Sequence, residues 1–375
     1  MQSSLVPGEK RVWFHCASLG EFEQGRTLME KLKLKRKEIK IVLTFFSPSG
    51  YEVRKNYTGA DYVFYLPLDT KANAEKFISM IAPEKVFFVK YEFWFHYLHT
   101  LHKKNIPVYL VSTIFRPGQK FFNWYGGFFR SMLKTITHFF LQDEESAALL
   151  HAIGITNYTV TGDTRFDRVV ESADGLKPIP MIEKFKDGKK ILVAGSTWKE
   201  DEQLIKSSFT YLTFHPSPLK LIIAPHEVNE NRIREVQNFF SGYNITLFSE
   251  AKEETISSSE ILIIDNIGML SSIYQYGSYA YIGGGFGKGI HNILEAAVVG
   301  LPVFFGPNYQ KFREANELIE RGGAFPVRSS DELTSTLNNL ITHENKCAAA
   351  SKVARDYVYE RKGATEKILL FLKNS

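Results

Sequence analysis

Three polar residues in the first half of the chain each follow an apolar stretch typical of a buried strand. Glu21 follows "RVWFHCAS" and opens a helical pattern, Glu92 ends "KVFFVKYEFW", and Arg165 comes just after "YTVTG". A carboxylate at such a junction can act as a general base, and an arginine can stabilise negative charge. Simpler roles also fit: Glu21 can complement a helix dipole, and Arg165 can pair with Asp163 or Asp167.

A glycine-rich stretch in the second half, "GGGFGKGIHNILEAA", has the composition of a nucleotide site. Its glycines allow the backbone to approach a ligand, and a helix that starts near His291 or Asn292 would aim N–H groups at a phosphate. Glu295, one turn inside that helix, could accept hydrogen bonds from a ribose diol. The pattern lacks the spacing of a dinucleotide fingerprint, so a dinucleotide fold is disfavoured.

Two further strand ends in the second half carry polar or open backbone groups. "IAPHEVNEN" ends a strand with His226 and Glu227, where a lone histidine is usually structural. "DNIGMLSSIY" places Gly268 to Leu270 at a helix start, where free N–H groups can accept an anion. The simpler interpretation of that start is an N-cap by Asn266.

Composition indicates an ordinary globular chain with two domains. The chain has 375 residues, of which 44% are hydrophobic and 23% charged, and a net charge of +5. This balance excludes a disordered protein, and the mild positive charge favours an anionic partner without indicating nucleic acid. Cys16 and Cys347 form no metal-binding or disulfide pattern, which fits a reducing cytoplasm. No apolar run has the length of a membrane span, and no signal peptide opens the chain.

The order of predicted elements gives the fold class. Seven apolar strand patterns in the first half and six in the second alternate with helical patterns, which predicts α/β architecture with two doubly wound parallel sheets. The predicted boundaries are 1–165 for the first domain, 166–189 for a linker, 190–347 for the second domain and 348–375 for a helix that could brace the first. Ligands of such sheets bind at the carboxyl ends of the strands, here expected to face a cleft.

Several motifs resemble those of 3-deoxy-D-manno-octulosonic acid (Kdo) transferases, in the same order along nearly the whole chain. They include "WFHCASLGE", "SPSGYE", "YEFW", "TGDTRFD", "AGSTWKEDE", "IAPHE" and "GGGFGKGIHNILEAAVVGLPVFFGP". The resemblance implies a GT-B fold with two Rossmann-like domains. It also implies inverting transfer of Kdo from CMP-Kdo to the tetraacylated lipid A precursor, lipid IVA, in lipopolysaccharide biosynthesis.

The resemblance also assigns roles by position. Glu21 would be the base that deprotonates the acceptor hydroxyl, and Glu92 and Arg165 would stabilise the transition state. The chain departs from the family pattern at Lys90, where an acid is usual, and at Arg165, where lysine is usual. It departs again at the "PHE" and "GML" triplets. No metal and no cofactor are expected. The residues implied for the CMP site are His226, Glu227, Gly268, Met269, Leu270, Asn292, Ile293, Leu294 and Glu295.

The implied acceptor is a lipid, so a membrane surface is an expected partner, whereas nucleic acid is not. The basic segment "KLKLKRKEIK" (31–40) could contact anionic lipid, although a solvated helix end explains it almost as well. The aromatic segment "RPGQKFFNWYGGFFRSMLK" (116–134) is a second candidate. The expected location is the cytoplasmic face of the bacterial inner membrane, by peripheral docking or through an anchor absent from this chain.

Two alternative functions stay open. One is another GT-B transferase that uses a different nucleotide sugar, such as a UDP-sugar. The other is a non-catalytic module that binds lipid or nucleotide on the same scaffold.

Overall fold

The computed structural model describes residues 5–213 and 219–374, which form two compact units. The first unit comprises Met1–Arg168 and Arg361–Ser375, and the second comprises Val169–Glu360. Each unit contains one sheet of seven strands, and the paired strands are parallel. The predicted class, α/β with two doubly wound sheets, is therefore confirmed.

The first sheet contains all seven strands that the sequence predicted. In chain order they are β1 (Lys10–His15), β2 (Ile39–Phe45), β3 (Tyr62–Tyr65), β4 (Pro83–Val89), β5 (Val108–Thr113), β6 (His138–Leu141) and β7 (Tyr158–Val160). Their order across the sheet is β3-β2-β1-β4-β5-β6-β7. The order reverses between β1 and β4, and at such a switch point doubly wound sheets bind their ligands.

Successive residues of the central strands enter separate cores on the two faces of this sheet. Trp13 and Phe88 belong to one buried cluster, whereas Phe14 and Phe87 belong to the other and stack at 4.7 Å between ring centroids. Side chains of a strand alternate between faces, so a strand buried on both must be apolar throughout. This explains the unbroken apolar runs of the sequence.

The second sheet contains one strand more than the sequence predicted. Its strands are β8 (Lys190–Thr197), β9 (Leu219–Pro225), β10 (Ile245–Leu247), β11 (Ile261–Ile263), β12 (Tyr279–Ile282), β13 (Val303–Phe305) and β14 (Ala324–Pro326). They are ordered β10-β11-β9-β8-β12-β13-β14, with the switch point between β8 and β12. The missed strand, β14, is a three-residue edge strand that ends in proline. Proline lacks the N–H that would hydrogen-bond to a neighbouring strand, so it is tolerated at a sheet edge.

Helices connect the strands of both units. In the first part of the chain they are α1 (Leu19–Lys35), α2 (Pro48–Arg54), α3 (Lys71–Ile81), α4 (Phe95–Lys103), α5 (Gly127–Leu133), α6 (Glu144–Ala152) and α7 (Thr164–Asp174). The later helices are α8 (Pro180–Lys186), α9 (Lys199–Thr213), α10 (Glu230–Phe239), α11 (Leu270–Ile273), α12 (Leu294–Val298), α13 (Arg313–Arg321), α14 (Ser330–Thr342), α15 (Glu344–Tyr359) and α16 (Ala364–Asn374).

The observed units differ from the predicted domain boundaries in two places. The stretch 166–189, predicted as a linker, contains most of α7 and all of α8. The stretch 348–375, predicted as one helix, is divided: α15 lies in the second unit and α16 in the first. The carboxylate of Asp167 fixes the start of α16 because it accepts the backbone N–H groups of Gly363 and, at 2.7 Å, of Thr365.

Three residues near the carboxyl ends of strands have a left-handed backbone. Lys90 follows β4 with φ of 65°, Ser112 lies in β5 with φ of 52°, and Ser196 lies in β8 with φ of 53°. The strand pairing shifts register beside Ser112 and Ser196. Residues other than glycine rarely adopt this conformation, and those that do are concentrated at functional sites. Of the three, Lys90 lies at the end of the strand that is followed by the predicted site residue Glu92.

Candidate active site

Glu21 lies in the first turn of α1, directly after β1 at the switch point of the first sheet. Its Oε2 accepts the backbone N–H of Ser18 at 3.1 Å and also the Ser18 hydroxyl, so the two residues form a capping box. In the described part of the chain, Oε1 has no hydrogen-bond partner. The helix-start role considered from the sequence is therefore present, and it leaves one carboxylate oxygen available to a ligand.

Glu92 lies beyond the end of β4, on the other side of the same switch point. Its Oε2 accepts Nε1–H of Trp94 at 2.6 Å and Nε2 of His15 at 3.2 Å. His15 is fully buried, and its Nδ1 lies 2.9 Å from the Thr44 hydroxyl, which accepts Nε1–H of Trp13. Because the Glu92 carboxylate can only accept, Nε2 of His15 carries a proton. Glu92 is therefore held as an acceptor of two N–H groups.

Cys16 shows that the two glutamates share one edge of the sheet. Burial raises the pKa of the Cys16 thiol, and the negative charges of Glu21 and Glu92 raise it further. Both carboxylates therefore lie close enough to this thiol to act on it electrostatically. The thiol itself is buried and protonated at neutral pH, so it has no features of a nucleophile.

Arg165 lies at the start of α7, where it pairs with Asp163. Its Nε donates to Asp163 Oδ2 at 2.8 Å, and its backbone N–H donates to Oδ1 of the same carboxylate at 2.9 Å. Burial raises the pKa of Tyr91, next to Glu92, and the charge of Arg165 opposes that rise. Arg165 therefore acts electrostatically on the strand end that carries Glu92. The ion pair considered from the sequence is also present.

At the switch point of the second sheet, three rings lie together: Trp198 after β8, His226 after β9 and His291 after β12. The ring centroids of Trp198 and His226 are 4.8 Å apart, and those of His226 and His291 are 4.3 Å apart. Nε1–H of Trp198 donates to Nε2 of His291 at 3.3 Å. Sequence reasoning predicted only His226 of these three. The position of Trp198 immediately after a strand-terminal "AGST" was the available signal for one of the two missed rings.

A buried polar network behind the rings fixes the strand ends. Asp201 Oδ2 accepts the backbone N–H groups of Trp198 and Gly284, both at 2.9 Å, and Oδ1 accepts the hydroxyl of Tyr281. Asp201 thereby ties the turn after β8 to the glycine-rich loop after β12. Burial raises the pKa of Asp201, and these three donors oppose the rise, which is how a buried carboxylate stays an acceptor.

At least two of the glycines in that loop are needed for internal packing. A Cβ on Gly283 would lie 2.1 Å from the carbonyl oxygen of Ser196, and one on Gly285 would lie 2.5 Å from the backbone nitrogen of Gly306. These two positions therefore require glycine for internal packing, because protein backbone occupies the space that a Cβ would take. Gly287 lies against no such obstacle.

Asn292 and Glu295 form one hydrogen-bonded pair at the start of α12. Nδ2 of Asn292 donates to Glu295 Oε1 at 3.0 Å, and Oδ1 of Asn292 accepts the backbone N–H of Leu294. Asn292 is exposed, whereas Ile293 and Leu294 are buried in the core. Asn292 and Glu295 can therefore meet a ligand, and the two residues between them can contribute only backbone groups.

The starts of α11 and α12 are weaker anion sites than the sequence suggested. The helix α12 begins at Leu294 instead of His291 or Asn292 and has five residues, and α11 has four. A helix dipole sums over aligned peptide units, so these contribute little. Met269, not Asn266, is the N-cap of α11, and Gly268 is exposed with φ of 92°.

His226 and Glu227 are exposed at the end of β9, beside a groove of about 580 Å³. The groove carries more acidic than basic side chains, which suits a base or a sugar better than a phosphate. It is lined by Val228, Asn229, Glu230, Ile233, Arg234, Gln237, Leu247, Ser249, Glu250 and Asp265.

Most cations of the basic segment 31–40 are paired within the first unit. Lys31 and Lys35 both reach Glu366 of α16, at 3.1 and 3.3 Å, and Lys33 reaches Asp61 at 2.8 Å. Arg36 pairs with Glu38 and Glu84. The interpretation as a solvated, ion-paired helix surface is therefore favoured over that of an anionic-lipid contact.

The aromatic segment 116–134 presents large rings to solvent. Trp124 is 91% exposed, Tyr125 56% and Phe128 57%. Arg130 donates to the carbonyl groups of Phe121 and Asn123 and so holds the turn that carries these rings. We call Trp124, Tyr125 and Phe128 the aromatic patch. Exposed aromatic clusters of this kind mark interaction surfaces.

Residues 5–213 and 219–374 contain no group of three or more histidine, cysteine, aspartate or glutamate side chains that could hold a metal ion. In the same ranges, no helix combines the length and apolarity required to cross a membrane. The expectation of a reaction without metal stays a prediction.

Comparison with known proteins shows the relatives of this chain. Residues 2–168 match the family model described as 3-deoxy-D-manno-octulosonic-acid transferase (kdotransferase). A Kdo transferase of Aquifex aeolicus is 26% identical over 94% of this chain and 92% of its own length. A Kdo transferase of Haemophilus influenzae is 24% identical over 99% of this chain and 88% of its own.

Solved structures share the fold. The UDP-GlcNAc 2-epimerase of Neisseria meningitidis, bound to UDP-GlcNAc, superimposes with a TM-score of 0.67 over 97% of this chain and all of its own, at 15% identity. A glycosyltransferase of Rickettsia africae gives a TM-score of 0.60 over 98% of this chain, at 13% identity. The predicted GT-B type of architecture is confirmed.

Proposed function

Since this chain is related to Kdo transferases along nearly its whole length, we propose that it transfers Kdo from CMP-Kdo to the lipid A precursor in lipopolysaccharide biosynthesis. The specific reaction is inverting transfer to lipid IVA. The observation that carries the proposal is the pair of carboxylates, Glu21 and Glu92, at the switch point of the first sheet.

Glu21 is the general base in this proposal. An inverting transfer in one step needs a carboxylate that removes the proton of the acceptor hydroxyl as the new bond forms. The Oε2 atom of Glu21 is anchored by Ser18, which fixes the direction of the free Oε1. Glu92 suits this role less well, because its contacts to His15 and Trp94 hold it as a charged acceptor.

Glu92 and Arg165 stabilise the transition state in the same proposal. Negative charge develops on the departing CMP phosphate, and positive charge develops on the sugar ring. Arg165, oriented by Asp163, is suited to the first charge, and the carboxylate of Glu92 to the second. Arginine at 165 keeps the charge of the usual lysine but presents it as a planar fork.

The second unit supplies the donor site in this proposal. The carboxylate of Glu295, bonded to Asn292, accepts hydrogen bonds from the ribose of CMP. His226, Glu227, and the backbone from Gly268 to Leu270 and from Asn292 to Glu295 complete the site. A single phosphodiester charge can be stabilised by N–H groups and cations, so the reaction needs no metal and no cofactor.

The lipid acceptor requires a membrane contact, which we assign to the aromatic patch. Tryptophan, tyrosine and phenylalanine side chains insert at the boundary between head groups and acyl chains. The basic segment 31–40 is a poorer candidate because Glu366, Asp61, Glu38 and Glu84 already neutralise most of it. The proposed location is the cytoplasmic face of the bacterial inner membrane, by peripheral contact.

Donor competition tests the proposal against another GT-B transferase. CMP and CMP-Kdo should bind, and UDP and UDP-sugars should fail to compete at equal concentration. Competition by UDP instead of CMP would reassign the donor. Binding of CMP-Kdo without release of CMP in the presence of lipid IVA would indicate a non-catalytic module.

A further inference from the structure

The three rings at the second switch point have a defined relative placement. Trp198 and His291 both stack on His226, with interplanar angles of 28° and 20°. If Trp198 and His291 lay on opposite faces of His226, their rings would be about 7 Å apart, which is twice a van der Waals contact distance. Their nitrogen atoms lie 3.3 Å apart, so both rings lie side by side on one face.

The hydrogen bond between Trp198 and His291 fixes where the histidine proton lies. Indole Nε1–H can only donate, so Nε2 of His291 must accept and carries no hydrogen. The neutral ring then has its hydrogen on Nδ1. Burial, together with the smaller effect of the neighbouring His226, lowers the pKa of His291 to about 4, so the ring is neutral at pH 7.

Nδ1–H of His291 is available to a ligand. Within residues 5–213 and 219–374, this atom has no hydrogen-bond partner, and it is not among the buried atoms that lack one. The ring edge formed by Cδ2 and Nε2 faces Gly284, so Nδ1 lies on the edge turned away from the glycine loop. Asn292, the next residue, is exposed.

We propose that Trp198 is a positioning residue that fixes His291 as a neutral Nδ1–H donor to an oxyanion of the donor substrate. This inference rests on the proposed function, because it places the nucleotide sugar at the second switch point. The oxyanion is either the phosphate of CMP or the carboxylate of the sugar, both of which accept an N–H.

The tautomer is tested without any substrate. Nitrogen-15 NMR of histidine-labelled protein at pH 7 should show protonated Nδ1 and unprotonated Nε2 for His291. In Trp198→Phe, which keeps a ring on His226 but removes the indole N–H, the two tautomers should mix. Protonated Nε2 in the wild type, or an unchanged spectrum in Trp198→Phe, would overturn the inference and leave the proposed transferase function standing.

Binding tests the ligand. Trp198→Phe should weaken CMP-Kdo binding by about three- to tenfold, the effect of losing one hydrogen bond. Asparagine places its amide N–H where histidine Nδ1 lies, so in a His291→Asn background the Trp198→Phe change should have no further effect. An equal loss in both backgrounds would overturn the positioning role, because a merely structural tryptophan would act in both.

Free CMP separates the two oxyanions. A loss in Trp198→Phe for CMP and CMP-Kdo alike assigns Nδ1–H to the phosphate, and a loss for CMP-Kdo alone assigns it to the sugar carboxylate. Unchanged affinity for both ligands would overturn the inference. Failure of the wild-type protein to bind either ligand would instead contradict the proposed function.

Discussion

At the scale of single residues, the two carboxylates of the first sheet differ in what holds them. Among the residues that the structure describes, Glu21 accepts hydrogen bonds only from Ser18, which lies in the same turn of the chain. Glu92 accepts hydrogen bonds from Trp94 and from His15. His15 is buried and is hydrogen-bonded to Thr44, which in turn contacts Trp13. A base must give up its existing contacts to accept a proton, so the less encumbered carboxylate is the better base.

The first prediction is that Glu21→Gln abolishes transfer and leaves the fold intact. Glutamine keeps the size and can still accept from Ser18, but it cannot take a proton. Loss of a positioned base costs about 100- to 10,000-fold in rate, whereas loss of a charge at a helix start costs only about 0.3–1 kcal/mol of stability. Turnover and melting temperature measured on this variant separate the two roles.

Glu92→Gln is the matched control for Glu21→Gln. It should slow transfer without removing the base, and it should also lower the melting temperature because it disturbs the contact with buried His15. Near-normal turnover in Glu21→Gln together with a larger loss in Glu92→Gln would move the base to Glu92.

The second prediction is that Glu295→Ala weakens CMP binding by about 2–3 kcal/mol, the value of two typical hydrogen bonds. Calorimetry with CMP and with 2′-deoxy-CMP tests the ribose contact directly. In the wild-type protein the deoxy ligand should bind more weakly, and in Glu295→Ala the two ligands should bind alike. Unchanged CMP affinity in the variant would remove Glu295 from the site.

Sequence could predict that Glu21 and Glu92 follow strands of the first sheet, but not that rings assemble at the switch point of the second. Glu21 and Glu92 were predictable because a lone carboxylate after an apolar run is conspicuous. Trp198 and His291 are 93 positions apart in the chain. They meet only because β8 and β12 are neighbours in the sheet, which strand order decides and local sequence does not.

At the scale of elements, a cluster of positive charges in the sequence was a poor guide to the membrane-contacting surface. The basic segment 31–40 reads as a lipid contact until α16 supplies Glu366 beside α1. That partner is more than 300 residues away in the chain, so a local pattern could not reveal it. The aromatic patch, in contrast, lies on one short turn whose composition alone suggested it.

The third prediction is that replacing Trp124, Tyr125 and Phe128 by serine reduces sedimentation with anionic liposomes. These side chains are exposed, so the melting temperature and the affinity for CMP should hardly change. Full liposome binding by the triple variant would exclude the aromatic patch as the membrane contact.

Charge reversal of Lys31 and Lys35 to glutamate is the companion experiment. It should lower the melting temperature of the protein, since both lysines would then repel Glu366. Adding Glu366→Lys should restore much of the loss by forming the reversed pairs. Lost liposome binding with an unchanged melting temperature would return the basic segment to the docking surface.

The fourth prediction concerns pH and the packing of α16. His138 of β6 lies 4.1 Å from the ring of Phe371 in α16, and burial lowers its pKa to about 4. Between pH 6.5 and 4 the unfolded chain therefore binds a proton that the folded one does not. Stability should fall as pH falls through this window, by about 3 kcal/mol at most from this residue.

Denaturant unfolding of His138→Gln tests this directly. Glutamine can keep the contact to the Thr159 hydroxyl, which His138 Nε2 makes at 2.9 Å. The variant should lose less stability than the wild type between pH 6.5 and 4. Above pH 7 the stabilities of the two proteins should depend on pH in the same way. Identical pH dependence would show that His138 does not titrate as its burial implies.

At the scale of the whole molecule, alternating apolar and helical patterns were sufficient for the architecture but not for every element. The seven strands of the first sheet were predictable because most are long and buried on both faces. The edge strand β14 was not predicted, and the start of α12 was placed two or three residues too early, at His291 or Asn292 instead of Leu294. The path of α16 back to the first unit depends on the Asp167 contacts.

The fifth and central prediction is that the protein attaches Kdo to the lipid A precursor. The purified chain would be incubated with CMP-Kdo and lipid IVA in detergent, and the lipid analysed by mass spectrometry. We expect the lipid to gain the mass of one or more Kdo residues with release of CMP, and Glu21→Gln, handled identically, to leave it unchanged. An unmodified lipid from wild-type protein that binds both substrates would contradict the account, as would transfer from a UDP-sugar in place of CMP-Kdo.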